Sequence, residues 1–160
     1  MANLFVYGSL QFADVMFAAT GAWLRSTPAQ LVDYRVFAVR GRPYPALVRA
    51  PPGSIARGRL YRGLRAPALR RLDAFEGAWY VRRRVAVSTA RGRAVAFVYV
   101  WHRAQHKRLA DAPWDVDCFG VSQRRRFAAH WRGRSRRIVA GAGQGRTRRR
   151  PGSQSVRTKT

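Results

Sequence analysis

Residues 66–77 read APALRRLDAFEG, and this stretch is predicted to form a short helix that stops at Gly77. Leu69, Leu72 and Glu76 recur at helical spacing and therefore share the face that should point inward. Glu76 is the one glutamate in the sequence, and it occupies a position where a structural residue would be hydrophobic. A carboxylate on an apolar face needs either a partner that neutralises it or a chemical role. Glu76 is therefore the first candidate for a catalytic residue.

The segments on either side of this helix alternate between short strands and short helices without regular crossovers. Leu4–Tyr7 is wholly apolar, as expected of a strand that is buried on both faces. This mixture predicts an α+β fold with a small mixed β-barrel and flanking short helices. Gly58 should mark a bulge or a close contact in its strand. The other predicted strands are 31–39, 46–48, 55–61, 79–87 and 94–101, and the other predicted helices are 12–19 and 116–131.

Gly8 and Ser9 directly follow the first strand, at a point where the chain must turn. Glycine is expected there to adopt a positive φ and to bring successive N–H groups to one side, in a concavity that binds anions. A plain turn between strand and helix fits the same residues equally well. Ser9 lacks the Gly-x-Ser-x-Gly context of a hydrolase nucleophile, because the run reads Tyr7-Gly8-Ser9-Leu10-Gln11.

The composition indicates one folded domain with a basic extension. The chain has 160 residues, of which 47% are hydrophobic, and this is enough for one domain with a real core. Of its net charge of +25, residues 1–131 contribute +15 and residues 132–160 contribute +10 with no acidic residue. We expect a folded domain over 1–131 and a disordered basic tail over 132–160, which would contact anions or nucleic acid without specificity.

The sequence predicts neither a membrane protein nor a secreted one. No apolar run approaches the ~20 residues of a membrane span, and Met1–Val6 has no basic leader. Cys118 is the single cysteine, so no internal disulfide is expected. We therefore expect a cytoplasmic protein. His102 and His106 stand four positions apart without a third ligand at recognisable spacing, so no metal site is predicted.

Five motifs follow one another in order along the chain. They are LFVYGSL (Leu4–Leu10), YPAL (Tyr44–Leu47), GRLY (Gly58–Tyr61), LDAFEG (Leu72–Gly77) and YVR (Tyr80–Arg82). Together they resemble the gamma-glutamylcyclotransferase-like family, in the branch that includes the plant avirulence-induced-gene proteins and gamma-glutamylamine cyclotransferase. The resemblance covers roughly residues 3–131, and the basic tail has no counterpart in the family pattern.

The resemblance implies a small β-barrel with a cavity at its mouth. It implies that the loop after the first strand holds the γ-glutamyl part of a substrate through backbone N–H groups, and that the glutamate of the Asp-x-x-Glu-Gly run is the acid/base. The implied reaction converts a small γ-glutamyl amine or amino acid into 5-oxoproline and a free amine, with no metal or other cofactor. Transferred by position, the binding residues are Tyr7, Gly8, Ser9 and Leu10, and the catalytic residue is Glu76.

Tyr80 and Arg82 lie two positions apart on a predicted strand, so they share a face and both can approach Glu76. We predict that they contribute to substrate binding; the alternative is a barrel-wall tyrosine and a solvated arginine. An inward carboxylate at the C-terminus of a helix should have a raised pKa, because burial and the helix dipole both disfavour its charge. A neighbouring arginine would oppose this effect.

Two other functions fit the same sequence. A cyclotransferase-like scaffold can serve as a binding module without activity, since one fold hosts many functions. The basic charge also fits a nucleic-acid-binding protein, for which Trp79, Tyr80, Trp101 and Trp131 would offer stacking surfaces. The sequence contains no recognisable RNA-binding or zinc-finger motif, and most of these aromatics fall on strand positions that a core would occupy.

Overall fold

The computed structural model of the chain describes residues 1–121 and 123–131. The predicted disordered tail, 132–160, lies outside the described residues, so the division of the chain at residue 131 stays a prediction. The strands are β1 (Ala2–Val6), β2 (Ser26–Val32), β3 (Tyr34–Val39), β4 (Pro45–Arg49), β5 (Ile55–Leu64), β6 (Tyr80–Thr89), β7 (Gly92–Trp101) and β8 (Leu109–Pro113). The helices are α1 (Ala13–Thr20), α2 (Ala66–Glu76) and α3 (residues 123–131), and 3-10 turns cover Ser9–Gln11, Gly77–Trp79, Arg103–Arg108 and Val116–Cys118.

Five of the described strands close a barrel in the order β1-β5-β2-β6-β7, and β4-β3-β8 form a second sheet. Strand neighbours in the barrel are antiparallel except β1 and β7, whose parallel pairing closes it. The predicted α+β fold with a small mixed barrel and short flanking helices is therefore confirmed. Within the described part of the chain, no helix is both long enough and apolar enough to cross a membrane.

Strand β1 is buried on both faces, as its apolar sequence predicts. Leu4 and Val6 belong to the cluster that includes α1 and α2, whereas Phe5 packs into the barrel interior. The strand also crosses Gly58 of β5 closely, because a Cβ there would overlap the Val6 carbonyl oxygen and lie 2.8 Å from Cζ of Phe5. The close contact predicted at Gly58 is confirmed, and a larger residue would push β1 away from β5.

Helix α2 has the bounds and orientation that the sequence predicts. Leu72 is fully buried, and Leu69 is partly buried in the same hydrophobic cluster. Gly77 ends the helix with a φ of 68°, in the region that favours glycine. Because the apolar face of α2 packs on the barrel, Glu76 at the end of that face lies against protein rather than in bulk solvent.

The predicted single strand over 31–39 is wrong. Asp33 has a φ of 66° and divides this segment into β2, which belongs to the barrel, and β3, which belongs to the second sheet. Its carboxylate accepts a hydrogen bond from the Gly53 N–H at 3.0 Å, and its own N–H donates to the Ser54 carbonyl at 2.7 Å. Aspartate tolerates left-handed backbone better than most residues, so Asp33 can break the strand here. The apolar pattern of the sequence continues on both sides and does not reveal the break.

The predicted closing helix over 116–131 is interrupted at Gly120, and its helical part lies after that residue. Phe119 and Phe127 anchor the segment: Phe119 is buried, and the two rings meet edge to face with centroids 5.9 Å apart. The Phe127 ring also meets the Phe75 ring of α2, with centroids 5.5 Å apart. This aromatic packing brings α3 to the C-terminal end of α2.

Candidate active site

A cavity of about 390 Å³ opens where the end of α2, the turn after β1 and the start of β4 meet. This volume lies in the usual range of small-molecule sites. Six of the seven site residues predicted from the sequence line this one cavity: Tyr7, Gly8, Ser9, Leu10, Glu76 and Tyr80. Tyr44, just before β4, and Pro45, the first residue of β4, also line the cavity.

The Glu76 carboxyl is the titratable group that distinguishes this cavity. It is partly buried, and the exclusion of water around it raises its pKa from 4.5 to about 8. Among residues 1–121 and 123–131, none donates a hydrogen bond to this carboxyl or forms an ion pair with it. An unpartnered carboxyl that ionises just above neutral pH can both give and take a proton in that range.

Gly8 turns the chain after β1, but not with the conformation predicted from the sequence. Its φ is −118° and its ψ is −141°, so the predicted positive φ is wrong. Glycine is required instead by close packing, because a Cβ at this position would lie 2.7 Å from Cγ of Pro45. Because Gly8 has no side chain, β4 can approach the turn, and Gly8 and Pro45 together form part of the cavity wall.

The turn after β1 uses its carbonyl groups for its own support. The carbonyls of Tyr7 and Gly8 accept hydrogen bonds from the side-chain Nε2 and the main-chain N–H of Gln11, at 2.8 and 3.0 Å. The Leu10 carbonyl accepts a bond from the Tyr61 hydroxyl at 3.0 Å. In the described part of the chain, the N–H groups of Gly8, Ser9 and Leu10 donate to no acceptor. The hydrogen-bonding capacity of these three N–H groups is therefore unused by the described residues.

Two tyrosine hydroxyls brace the cavity. The Tyr7 hydroxyl donates to the Tyr99 carbonyl at 2.7 Å, and the Tyr80 hydroxyl donates to the Pro45 carbonyl at 2.7 Å. Burial raises the pKa of both phenols, and the negative charge of Glu76 raises it further. Both side chains are therefore neutral hydroxyl donors at neutral pH, and Tyr80 holds Pro45 in place beside the turn.

Asp73 joins helix α2 to the strands behind the cavity. Its Oδ1 accepts a hydrogen bond from the Tyr99 hydroxyl at 2.8 Å, and its Oδ2 forms an ion pair with Arg82 at 3.0 Å. The Arg82 guanidinium also lies 4.9 Å from the centre of the Phe97 ring. Arg82 is not part of the cavity lining, and burial alone accounts for the raised pKa of Glu76. The contact between Arg82 and substrate stays a prediction without support from this geometry.

The family model described as "Gamma-glutamyl cyclotransferase, AIG2-like" matches residues 4–116. The chain belongs to this family. AIG2-like protein D of Arabidopsis thaliana is 30% identical over 120 residues, which are 73% of this chain and 78% of that protein. The solution structure of an A. thaliana protein superposes with a TM-score of 0.62 at 25% identity, over 90% of this chain and 87% of that one. A structure named gamma-glutamyl cyclotransferase shares the fold, with a TM-score of 0.58 at 16% identity over 96% and 93% of the two chains.

Family membership confirms the resemblance that the five motifs predict. The match over residues 4–116 includes all of these motifs, and the fold is the small barrel that the resemblance implies. The roles of Glu76 and of the turn after β1 remain proposals for this chain, which the geometry supports.

Several residues of the site were not predicted from the sequence. Asp73 is one of them: although it is exposed, its two contacts hold the end of α2. Its place three residues before Glu76, one helical turn away, was the signal available in the sequence. Arg42, His130 and Trp131 also line the cavity. They come from a turn and from α3, so no local pattern connects them with Glu76.

The aromatic residues considered for nucleic-acid stacking do not form a free surface. Trp101 is 3% exposed, and its Nε1 donates to the Gln105 carbonyl at 3.0 Å. The Tyr80 ring packs edge to face on Trp101, with centroids 5.2 Å apart. Trp79 makes a similar contact with Trp101 from the cavity side, at 5.7 Å. These contacts give nucleic-acid binding no support beyond the net charge.

Proposed function

We propose that this chain is a γ-glutamyl cyclotransferase that acts on a small γ-glutamyl amine or amino acid. The substrate's α-amine attacks its own γ-carbonyl carbon, a C–N bond forms that closes a five-membered ring, and the γ-amide C–N bond breaks. The products are 5-oxoproline and the free amine, and no water is consumed. Because both reacting groups belong to one molecule, the protein must chiefly fold the substrate and move protons from the attacking nitrogen to the departing one.

Glu76 is the group proposed to move these protons. The α-ammonium must lose one proton to become the nucleophilic amine, and the same nitrogen loses a second proton when the ring amide forms. The departing nitrogen gains one proton when the γ-amide bond breaks and a second when it leaves as an ammonium. A single carboxylate beside both nitrogens can take and return these protons in turn, so the proton count balances. Its raised pKa supports this role, because a pKa of about 8 is close to the pH at which the transfer must run. The binding of a substrate ammonium beside it would favour its ionised form.

The N–H groups of Gly8, Ser9 and Leu10 are proposed to hold oxygen atoms of the γ-glutamyl group. Gly8, Ser9 and Leu10 line the same cavity as Glu76, and their N–H groups have no acceptor in the described part of the chain. Main-chain donors in a supported turn need little reorganisation when a substrate oxygen gains negative charge. The observation that carries the proposal is that an unpartnered, partly buried carboxyl lines the same cavity as three residues whose N–H groups have no acceptor in the described part of the chain.

The test is release of 5-oxoproline by the full-length chain from a panel of γ-glutamyl amines and amino acids. We expect product from at least one compound, and we expect Glu76→Gln to lower kcat/KM by about 10²–10⁴-fold, as removal of a general base does. Asp111→Asn is the matched control, because it removes an exposed carboxylate outside the cavity lining. No product from any compound, or full activity in Glu76→Gln, would refute the proposal.

A further inference from the structure

The cavity contains a cation that the proposed chemistry does not use. Arg42 lines the cavity and is an exposed residue, whereas Gly8, Ser9 and Leu10 are buried. Arg42 therefore stands at the mouth and the turn after β1 forms the floor. No carboxylate within residues 1–121 and 123–131 pairs with Arg42.

An aromatic platform holds this cation in place. The Arg42 guanidinium lies 5.2 Å from the centre of the Trp79 ring, a distance at which a cation is attracted to the ring. Trp79 is itself fixed, because its ring packs edge to face on Trp101 at 5.7 Å and its carbonyl accepts a bond from the His102 N–H at 2.7 Å. Tyr44 lies beside it, with ring centroids 6.5 Å apart. Arg42 is thus held over a rigid apolar surface.

The charged side chains described at the cavity mouth are positive. Glu76 is the only carboxyl among the described lining residues, and its charge acts on the Tyr7 and Tyr80 hydroxyls, whereas it forms no ion pair with Arg42. Arg108 adds a second guanidinium, 4.7 Å from the centre of the Trp79 ring, without lining the cavity. A fixed, unpaired guanidinium is the preferred partner of a carboxylate, since its parallel N–H groups match the two oxygens.

These observations concern the amine that the proposed reaction releases from the substrate. The inference drawn from them rests on the proposed function. If the γ-glutamyl group lies on the floor, between the turn after β1 and Glu76, the departing amine points to the mouth. We propose that Arg42 selects substrates whose departing amine carries a carboxylate, as a γ-glutamyl α-amino acid does, over amines without one. The aromatic wall of Trp79 and Tyr44 accommodates an apolar side chain on the same amino acid.

The test compares γ-glutamyl-phenylalanine with its C-terminal carboxamide. The two substrates differ only in that the departing amine carries a carboxylate in the first and an uncharged carboxamide in the second. Release of 5-oxoproline is measured with the full-length chain.

We expect kcat/KM to be about tenfold higher for the acid than for the amide, which is the size of effect expected from one charge-assisted contact at an open site. In Arg42→Gln the acid-to-amide ratio should fall to near one, and Arg42→Lys should retain part of the preference. Arg108→Gln, which removes the other cation on Trp79, should keep the ratio.

Three results would overturn the inference. Equal kcat/KM for acid and amide in the unmodified chain would show that the chain does not select for a carboxylate on the departing amine. A fall of equal size for both substrates in Arg42→Gln would show that Arg42 contacts the γ-glutamyl part or supports the fold instead. A lack of 5-oxoproline from both substrates and from every other γ-glutamyl compound would mean that the proposed function has failed, and the inference with it.

Discussion

Replacement of Glu76 by glutamine should stabilise the fold while it removes the proposed activity. The folded chain binds the Glu76 proton more tightly than the unfolded chain does, because the pKa is about 8 in the fold against an ordinary value of 4.5. Between these two values the folded state holds more protons, so stability falls as pH rises through this window. Glutamine does not ionise, so the stability of Glu76→Gln does not fall with pH in this way.

The size of the effect follows from the same pKa. One pKa unit corresponds to about 1.4 kcal/mol, so the carboxyl would destabilise the fold by at most about 3 kcal/mol at pH 7 and about 5 kcal/mol above pH 8. The carboxyl keeps partial contact with solvent, which screens its charge. We therefore expect Glu76→Gln to raise the free energy of unfolding by about 2 kcal/mol at pH 7 and by close to zero at pH 4.

The assay is urea denaturation of both proteins at several values between pH 4 and 9. Asp111→Asn serves as the control for the loss of one negative charge from a very basic chain. The expected signature is a difference between Glu76→Gln and the unmodified chain that grows with pH and exceeds that of the control. A difference that is the same at pH 5 and pH 8 would refute the argument that burial raises the pKa of Glu76.

Three further predictions concern the same site. Selective ¹³C labelling of glutamate should give one side-chain carboxyl signal, since Glu76 is the only glutamate, and it should titrate near pH 8 rather than 4.5. Gly8→Ala should displace the turn from Pro45, with a loss of about 1–3 kcal/mol in stability by urea denaturation and a fall in kcat/KM. Gly120→Ala, where a Cβ has open space, should show neither loss. Asp73→Asn should weaken the attachment of α2, with a loss of about 0.5–1 kcal/mol and a lower kcat at similar KM; unchanged kcat would contradict a positioning role.

The parts of the fold that could be predicted are those where local pattern and tertiary environment agree. The apolar run of β1, the 3.6-residue repeat of α2 and the glycine at position 58 each report a contact that the structure contains. The raised pKa of Glu76 followed from the same repeat, because a carboxyl on an apolar face must be desolvated.

The errors arose where a contact between distant segments decides the conformation. Asp33 breaks an apolar run through bonds to residues about 20 positions away, which no periodicity reveals. Gly8 is required by Pro45, a neighbour in space and not in sequence, so the rule that links glycine with a positive φ gave the wrong conformation. Arg42 was overlooked because its relation to Glu76 exists only once the cavity has formed.

The central claim is that the Glu76 carboxyl moves the proton of a γ-glutamyl cyclisation, and the pH dependence of kcat/KM for 5-oxoproline release tests it most directly. In the free protein the carboxyl must be ionised to act as the base, so the rate should rise about tenfold per pH unit on the acid side and bend near pH 8. A rate that is flat between pH 5.5 and 8, or a bend near 4.5, would contradict the account, because the proton would then be moved by another group.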